Sequence, residues 1–474
     1  MVSLKKNIFY NSIQVASNLV FPLITFPYVT RVFGPDNLGL FNYITSIVGY
    51  FTLFASLGFP LYGTREIAQV KNNPKKLQDT FSAILTANII SCLFIFIVYI
   101  LSVLYVAEYA NSENLLLYLI LGLSILMSCV SLNWFYQGVE DFKYITTRSI
   151  CIKVISIICL FVFVKNQDDL LPYAILTIAG TCGNNILNLM HIRKYTKLRF
   201  TLNGCLKHTK GASVLFLGTI AVSLYTNLNS VMVGSLGTMA AVAYFVTGNR
   251  LVQMLMSVLN AITSTIIPRM SYLVGKGNEE QALYLQRKSL NLILYLSIPM
   301  TLGLIALAEP IILIFGGNEF IPSVKVMQLL APLLVIITLS GFLGHQVLIP
   351  LRLEKYGNYC VIIGATVNFL LNFFLIKLFA EVGVAISVLV AESSVTLMHF
   401  IFARKYTKLK FVDFIPYKSI IASIVMFLLI KVTYSLAYSP FFSIFWILGG
   451  IAIYVLILLL LKDRFVLDLI KKNK

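Results

Sequence analysis

Residues 193–200 read RKYTKLRF and residues 404–411 read RKYTKLKF, so one basic octapeptide occurs twice with a single Arg-to-Lys exchange. Each copy follows a long apolar run. Other landmarks repeat at nearly the same spacing: Lys143-Tyr144 matches Lys355-Tyr356, and Lys165 matches Lys377. The repetition predicts a duplicated chain whose two halves end on the same side of a membrane.

The composition predicts a membrane protein. The 474 residues are 58% hydrophobic and 12% charged, with a mean hydropathy of +0.87. A soluble core does not need this much apolar surface, and most apolar runs have the length of a helical span, about 20 residues. The net charge of +18 is spread over alternate loops, which argues against a nucleic-acid surface. The seven cysteines show neither metal nor disulfide spacing, and we expect no metal and no cofactor.

The hydropathy pattern predicts an all-α polytopic fold with about 14 transmembrane helices. Their predicted ranges are 8–31, 38–62, 80–106, 114–136, 148–165, 171–192, 212–235, 240–267, 289–309, 326–350, 357–378, 381–402, 418–437 and 444–461. Nearly all Lys and Arg residues fall in the loops on one side of this arrangement, and the opposite loops carry acids such as Glu108 and Asp168. By the positive-inside rule, we expect both termini to be cytoplasmic.

The duplication and the span count together predict the domain organisation. Residues 1–211 form an N-terminal lobe of six helices, residues 212–411 form a second lobe of six, and residues 412–474 add two helices and a cytoplasmic tail. Two such lobes related by a parallel repeat are typical of transporters.

Predicted helix 8 carries the most informative polar residues. Starting from Asn249 or Arg250, the residues Gln253, Ser257 and Asn260 follow at steps of three or four, which places them on one face of the helix. Such a face cannot be turned to lipid, so it either forms hydrogen bonds to neighbouring helices or lines a water-filled cavity. We favour the cavity, because an arginine deep in a span is a candidate functional residue. A guanidinium group also suits phosphate binding.

Other candidate binding residues lie in the remaining helices. They are Gln14, Asn18 and Arg31 in or at the end of helix 1, Tyr50 in helix 2 and Asn227 in helix 7. Glu392, in helix 12, is either an ion-pair partner of Arg250, a coupling-ion site or a structural acid. The sequence leaves these three interpretations open.

Five segments give the chain a resemblance to a known family. They are RVFGPDNLG (31–39), NWFYQGVEDFKY (133–144), AYFVTGNR (243–250), PRMS (268–271) and QVLIP (346–350). With the 14 predicted helices, the chain resembles the bacterial polysaccharide repeat-unit (O-antigen and capsule) flippases of the MATE-like superfamily, which also contains multidrug exporters. The resemblance covers essentially the whole chain. Relatives often have an acid where this chain has Asn229, which puts a cation-binding role there in doubt.

The resemblance implies a flippase that moves an undecaprenyl-diphosphate-linked oligosaccharide from the cytoplasmic to the periplasmic leaflet. Transport would proceed by alternating access through a cationic central cavity, with Arg31 and Arg250 as its basic residues. The implied setting is the bacterial inner membrane, with a polysaccharide polymerase and glycosyltransferases as possible partners.

Three alternatives stay open at this stage. A flippase for a lipid II-type precursor is chemically similar, and an ion-coupled multidrug exporter would have the same fold. A membrane polymerase or ligase is the alternative from another class, but such an enzyme usually has a large outer loop, and the outer loops here are short. We therefore expect a transporter and not an enzyme.

Overall fold

The computed structural model describes residues 4–110, 114–406, 416–436 and 443–463, and all regular elements in these ranges are helical. The chain divides into two compact units, Met1–Val231 and Met232–Lys474. Residues 407–411 of the second octapeptide, Glu113 and residues 464–474 of the C-terminal tail lie outside the described ranges. The predicted lobes 1–211 and 212–411 and the segment 412–474 stay predictions.

Unit 1 begins with a long bent helix. Its helices are α1 (Leu4–Ser56), α2 (Phe59–Val70), α3 (Pro74–Ala110), α4 (Leu115–Cys129), α5 (Asn133–Gly138), α6 (Phe142–Phe163), α7 (Leu170–His191) and α8 (Cys205–Leu236), the last of which ends in unit 2. Predicted spans 1 and 2 both fall in α1, which bends at Gly34. The φ of Gly34 is 66°, a left-handed conformation that glycine adopts without steric cost. A break at Gly58 separates α2, so the predicted end of span 2 at residue 62 is too late.

Unit 2 contains several interrupted helices. They are α9 (Met239–Ser264), α10 (Ile267–Gly275), α11 (Glu279–Ala306), α12 (Ala308–Gly316), α13 (Pro322–Leu330), α14 (Leu333–Gly341), α15 (Glu354–Tyr406), α16 (Tyr417–Leu436) and α17 (Ser443–Leu460). Predicted span 10 is divided at Pro332 into α13 and α14, and a π-helical turn, Phe342–Leu348, follows. Predicted spans 11 and 12 both fall in α15, which reverses at Ala380 with a φ of 47°.

The helices confirm the predicted all-α membrane fold. Within the described ranges, ten helical segments are long and apolar enough to cross a membrane, and two of them, Phe9–Val70 and Glu354–Tyr406, each contain two predicted spans. The remaining predicted spans correspond to α8 and α17. The main errors are at the edges, because several helices extend beyond their apolar stretch into polar residues. For example, α3 begins at Pro74, six residues before the predicted start of that span.

The NWFYQGVEDFKY segment forms a core of unit 1. Trp134, Phe135 and Tyr136 of α5 are buried against Phe59 of α2 and Phe81 of α3. The Tyr136 hydroxyl donates to the carbonyl oxygen of Asn188 in α7 at 2.6 Å. The aromatic residues of this motif therefore have a packing role in unit 1.

A similar ring contact occurs at equivalent positions of the predicted repeat within each unit. In unit 1 the ring of Tyr144 stacks on His191, with ring centroids 3.8 Å apart. In unit 2 the ring of Tyr356 packs on Phe402, with centroids 4.8 Å apart. Tyr144 and Tyr356 are equivalent positions in the duplicated sequence. A ring contact thus joins α6 to α7 in unit 1, and a similar contact joins the two arms of the kinked helix α15 in unit 2.

We expect the packing of α2 against α5 to be disrupted by a side chain larger than hydrogen at Gly63. A Cβ at Gly63 would lie 2.4 Å from Cε3 of Trp134, whose side chain is buried and cannot move aside. Gly63→Ala should destabilise the protein by about 1–3 kcal/mol, the usual cost of overpacking. Thermal unfolding of the detergent-purified protein measures this as a lower midpoint.

Gly449→Ala in α17 is the matched control, because a Cβ there meets nothing within 4 Å. Its midpoint should stay unchanged or rise slightly, since alanine is the better helix former. Equal midpoints for the two variants would contradict this account of the α2–α5 contact.

Candidate functional site

The α9 helix presents a polar face within a membrane span. Arg250, Gln253, Ser257 and Asn260 are exposed and Asn249 is partly exposed. The opposite face is apolar and buried, with Val252, Met256 and Leu259. Arg250 lies 11 residues after the start of α9, which corresponds to about 17 Å along the helix axis. We call the five polar residues the α9 polar face.

Packing against α13 fixes the orientation of this face. Gly248 allows the backbone of α9 to approach α13 so closely that a Cβ there would lie 3.0 Å from the amide nitrogen of Met327. At the start of α9, the Thr238 side chain accepts a hydrogen bond from the amide of Ala241 at 3.1 Å. The helix is thus capped and packed on one side, and its other side carries the polar residues.

The exposed polar groups on α9 differ from those of a lipid-facing helix. Within residues 90–101 of α3 the exposed side chains are all apolar, such as Phe94, Ile97 and Leu101. Hydrocarbon solvates neither a guanidinium nor a carboxamide group, so the α9 polar face requires water or polar ligands. The role of this face as the wall of a hydrated cavity stays a prediction.

The candidate residues of unit 1 are more scattered. Arg31 and Asn18 are exposed on α1, and Gln14 and Tyr50 are partly exposed on the same helix. Asn227 of α8 lies beside Gly49, where an added Cβ would be 3.3 Å from the Asn227 amide nitrogen. That position gives Asn227 a packing role between α1 and α8.

Glu392 is placed on α15, in unit 2. It is partly buried, and its backbone carbonyl accepts a hydrogen bond from the Thr396 hydroxyl at 2.8 Å. Its three interpretations stay open as predictions. Asn229, the position where an acid is missing, is buried in α8.

A cavity in unit 1 contains a basic residue that the sequence analysis missed. Its volume is about 440 Å³, and α1, α6 and α7 line it. Lys153 of α6 lies in this lining together with Asn18 and Thr25 of α1 and Tyr173 and Thr177 of α7. The Lys153 ammonium donates to Ser17 Oγ at 3.0 Å and to Asn18 Oδ1 at 2.5 Å. We call this space the Lys153 cavity.

Contacts near both ends of the cavity fasten α1 to α6. The Thr146 hydroxyl donates to the carbonyl oxygen of Tyr10 at 2.9 Å, and the Tyr28 hydroxyl donates to that of Val164 at 2.5 Å. Between these points α1 contains Pro22, which lines the cavity. Of the candidate residues of unit 1, only Asn18 belongs to the cavity lining; Gln14, Arg31, Tyr50 and Asn227 do not.

A lone lysine within an apolar span was the one sequence signal for Lys153. It lies in ICIKVISIICLFVF, residues 150–163, and its partners are about 135 positions earlier in the chain.

Among the described residues, no group of three or more His, Cys, Asp and Glu side chains could hold a metal ion.

The family of the chain follows from its sequence over the whole of unit 1 and the start of unit 2. The family model described as polysaccharide biosynthesis protein matches residues 4–274. The chain belongs to this family. The MatE family model also matches residues 215–375. Both matches confirm the resemblance that the sequence motifs indicated.

Individual relatives extend the similarity to nearly full length. The "Putative O-antigen transporter" of Escherichia coli (strain K12) is 27% identical over 406 residues, which are 85% of this chain and 97% of that protein. The solved structure of the lipid II flippase MurJ in an inward closed conformation covers 95% of this chain and 99% of its own, with a TM-score of 0.68 and 17% identity. An inward-facing MATE multidrug transporter covers 84% of this chain and 94% of its own, with a TM-score of 0.60 and 12% identity. At these identities, the two structures show a shared fold.

We expect the α9 polar face to be accessible to water. In a cysteine-free background, Ser257→Cys should react with a membrane-impermeant charged thiol reagent, because a hydrated thiol can ionise to the reactive thiolate. Mass spectrometry of protein in membrane vesicles, treated on either side, measures the labelled fraction.

Leu101→Cys is the control, since Leu101 is 63% exposed on α3 but has apolar neighbours. A thiol facing lipid stays protonated and should label at least about tenfold more slowly. Equally slow labelling at both positions would show that the α9 polar face is dry.

Proposed function

We propose that this protein is a flippase for an undecaprenyl-diphosphate-linked oligosaccharide. The observation that carries the proposal is the α9 polar face, in which an exposed arginine and four neutral polar side chains lie within a membrane span. It occurs in a multi-pass membrane protein of the polysaccharide biosynthesis family, related over most of its length to a protein named as an O-antigen transporter. These relationships make the chain a transporter and not an enzyme.

The chemistry of the substrate explains why such a face is needed. A diphosphate with attached sugars cannot enter hydrocarbon, but the polyprenyl tail can stay in the lipid while the head group crosses. In the proposed mechanism, Arg250 and Arg31 bind phosphate oxygens, because guanidinium groups form paired charge-assisted hydrogen bonds with them. Asn249, Gln253, Ser257 and Asn260 bind sugar hydroxyls, since amides and hydroxyls both donate and accept.

The proposed direction is from the cytoplasmic to the periplasmic leaflet of the bacterial inner membrane, by alternating access. Loops with many Lys and Arg residues favour cytoplasmic termini. An inside-negative potential would assist the export of an anionic head group. Two negative charges that cross the whole field gain roughly 4–5 kcal/mol per 100 mV. A polymerase and glycosyltransferases of the same pathway are the proposed functional partners.

The α9 polar face also distinguishes this proposal from a cationic-drug exporter. A site for a cationic drug requires acidic side chains, and the five residues of this face include a cation and no acid. A lipid II-type precursor carries the same diphosphate chemistry, so a flippase for such a precursor is the second candidate.

We expect Arg250→Ala to abolish surface polysaccharide in the cell of origin while the protein is still inserted. Loss of a paired contact to phosphate should weaken substrate binding on the order of 100-fold. Polysaccharide display is measured by immunoblotting of whole cells that carry the variant as their only copy, and Arg31→Ala should behave alike. Normal display in both variants would remove the phosphate role of these arginines.

Lys431→Ala is the matched control for loss of a positive charge in a span. Lys431 is exposed on α16, where its ammonium lies 5.8 Å from the ring centroid of Phe427, and it has no proposed role in transport. Display should be normal in this variant.

Reconstitution in liposomes tests the activity directly. The purified protein should move a fluorescent polyprenyl-diphosphate sugar between leaflets and release no new product. A newly formed glycosidic bond would instead indicate a polymerase or ligase.

A further inference from the structure

We propose that the Lys153 cavity is a second phosphate-binding site, which takes a phosphate and an adjoining sugar of the lipid-linked substrate. The inference rests on the proposed function and assigns part of substrate recognition to unit 1. The five residues of the α9 polar face all belong to unit 2, so this site is carried by other helices.

The charge of the cavity points to an anionic ligand. Among the described residues, its lining contains one cation, Lys153, and no aspartate or glutamate. Lys153 lies 11 residues after the start of α6, which corresponds to about 17 Å along the helix. An ammonium at this depth in a span is costly unless a counter-charge or polar ligands stabilise it. Its recorded acceptors, Ser17 and Asn18, are both neutral, so the positive charge of the cavity is not balanced by the lining.

The geometry of Lys153 suits a phosphate oxygen. An ammonium group has three N–H donors, and two of them bond Ser17 Oγ and Asn18 Oδ1. These two bonds hold the charge in place, and the ring centroid of Phe21 lies 5.3 Å from Nζ. The third donor can therefore bond an anion without any rearrangement of the first two.

The remaining polar groups of the cavity suit a sugar. The Thr177 hydroxyl donates to the carbonyl oxygen of Tyr173 at 2.9 Å, and the Thr25 hydroxyl donates to that of Phe21 at 3.2 Å. Because each hydroxyl proton is used within its own helix, the two oxygens offer lone pairs to donors from a ligand. Sugar hydroxyls are such donors. The volume of about 440 Å³ lies within the range of small-molecule sites.

Binding measurements on the full-length protein test the site. The protein is placed in nanodiscs of phosphatidylcholine, in an Arg250→Ala background that removes the proposed contact on α9. The probe is radiolabelled farnesyl diphosphate, and its dissociation constant is measured by scintillation proximity. Lys153→Met should weaken binding at least about tenfold, the factor that one lost charge-assisted hydrogen bond corresponds to. Lys153→Arg should stay within about threefold of the parent, because the charge remains.

Two controls separate charge from damage to the fold. Lys431→Met removes a lysine from α16, outside the cavity, and should bind like the parent. Lys153→Gln keeps donors for Ser17 and Asn18 without the charge, and it should lose affinity as Lys153→Met does even if the methionine variant misfolds. Unchanged binding in a folded Lys153→Met or Lys153→Gln protein would overturn the proposal. Equal affinity for farnesol, which has no phosphate, would also overturn it.

The source of the phosphate is tested in the same assay. If phosphatidylglycerol in the nanodisc displaces farnesyl diphosphate from the Lys153-dependent site, the occupant is a membrane phospholipid and the substrate assignment is wrong. No displacement supports it. Glycan translocation by a protein whose probe binding ignores Lys153 would overturn the site alone. Lys153-dependent binding by a wild-type protein that translocates no glycan would overturn the proposed function alone.

Discussion

Lipid cannot solvate charge, and this constraint governs most of what is unusual in the molecule. Helices that meet only lipid can expose Phe94, Ile97 and Leu101 as α3 does. The α9 helix reverses that pattern, with apolar side chains inside and Arg250, Gln253 and Asn260 outside. Lys153 meets the same constraint differently, since two neutral acceptors hold it at the edge of a cavity. In both places the free energy of an intramembrane charge is lowered by a polar environment, and substrate chemistry can use that environment.

The same constraint explains which parts of the fold can be predicted from the sequence. Long apolar runs and the alternation of basic loops predicted the spans, because the bilayer imposes both patterns. Breaks within those runs were harder to predict. Gly34 and Gly58 have positive φ angles, which glycine can adopt, but a glycine in a sequence does not by itself predict such a conformation. Ala380 also has a positive φ, and its residue type gives no sequence signal for it. The division of span 10 at Pro332 follows a residue that was visible, but proline can bend a helix as well as end it.

The candidate site was predictable only where it lies on a single helix. The α9 polar face follows from spacing along one helix, and its residues are exposed or partly exposed, while its role in binding stays a prediction. The Lys153 cavity is formed by α1, α6 and α7 together. No local sequence pattern predicts the hydrogen bond from Lys153 to Asn18. The roles of Arg31, Tyr50, Asn227 and Glu392 in substrate binding remain predictions. The NWFYQGVEDFKY motif shows the converse, since its prominent aromatic residues build a core.

Equivalent positions in the predicted duplication carry side chains of different chemistry. By the spacing that relates Lys143 to Lys355, Lys153 corresponds to Ala365 in the second half, so the intramembrane lysine belongs to one copy. Its two acceptors, Ser17 and Asn18, lie about one helical turn before Pro22 in α1, where the proline ring removes a backbone donor. Flexing of α1 at that proline would carry both acceptors along and reposition the ammonium. Under the proposed function, the curvature of α1 and the strength of phosphate binding at Lys153 would then change together.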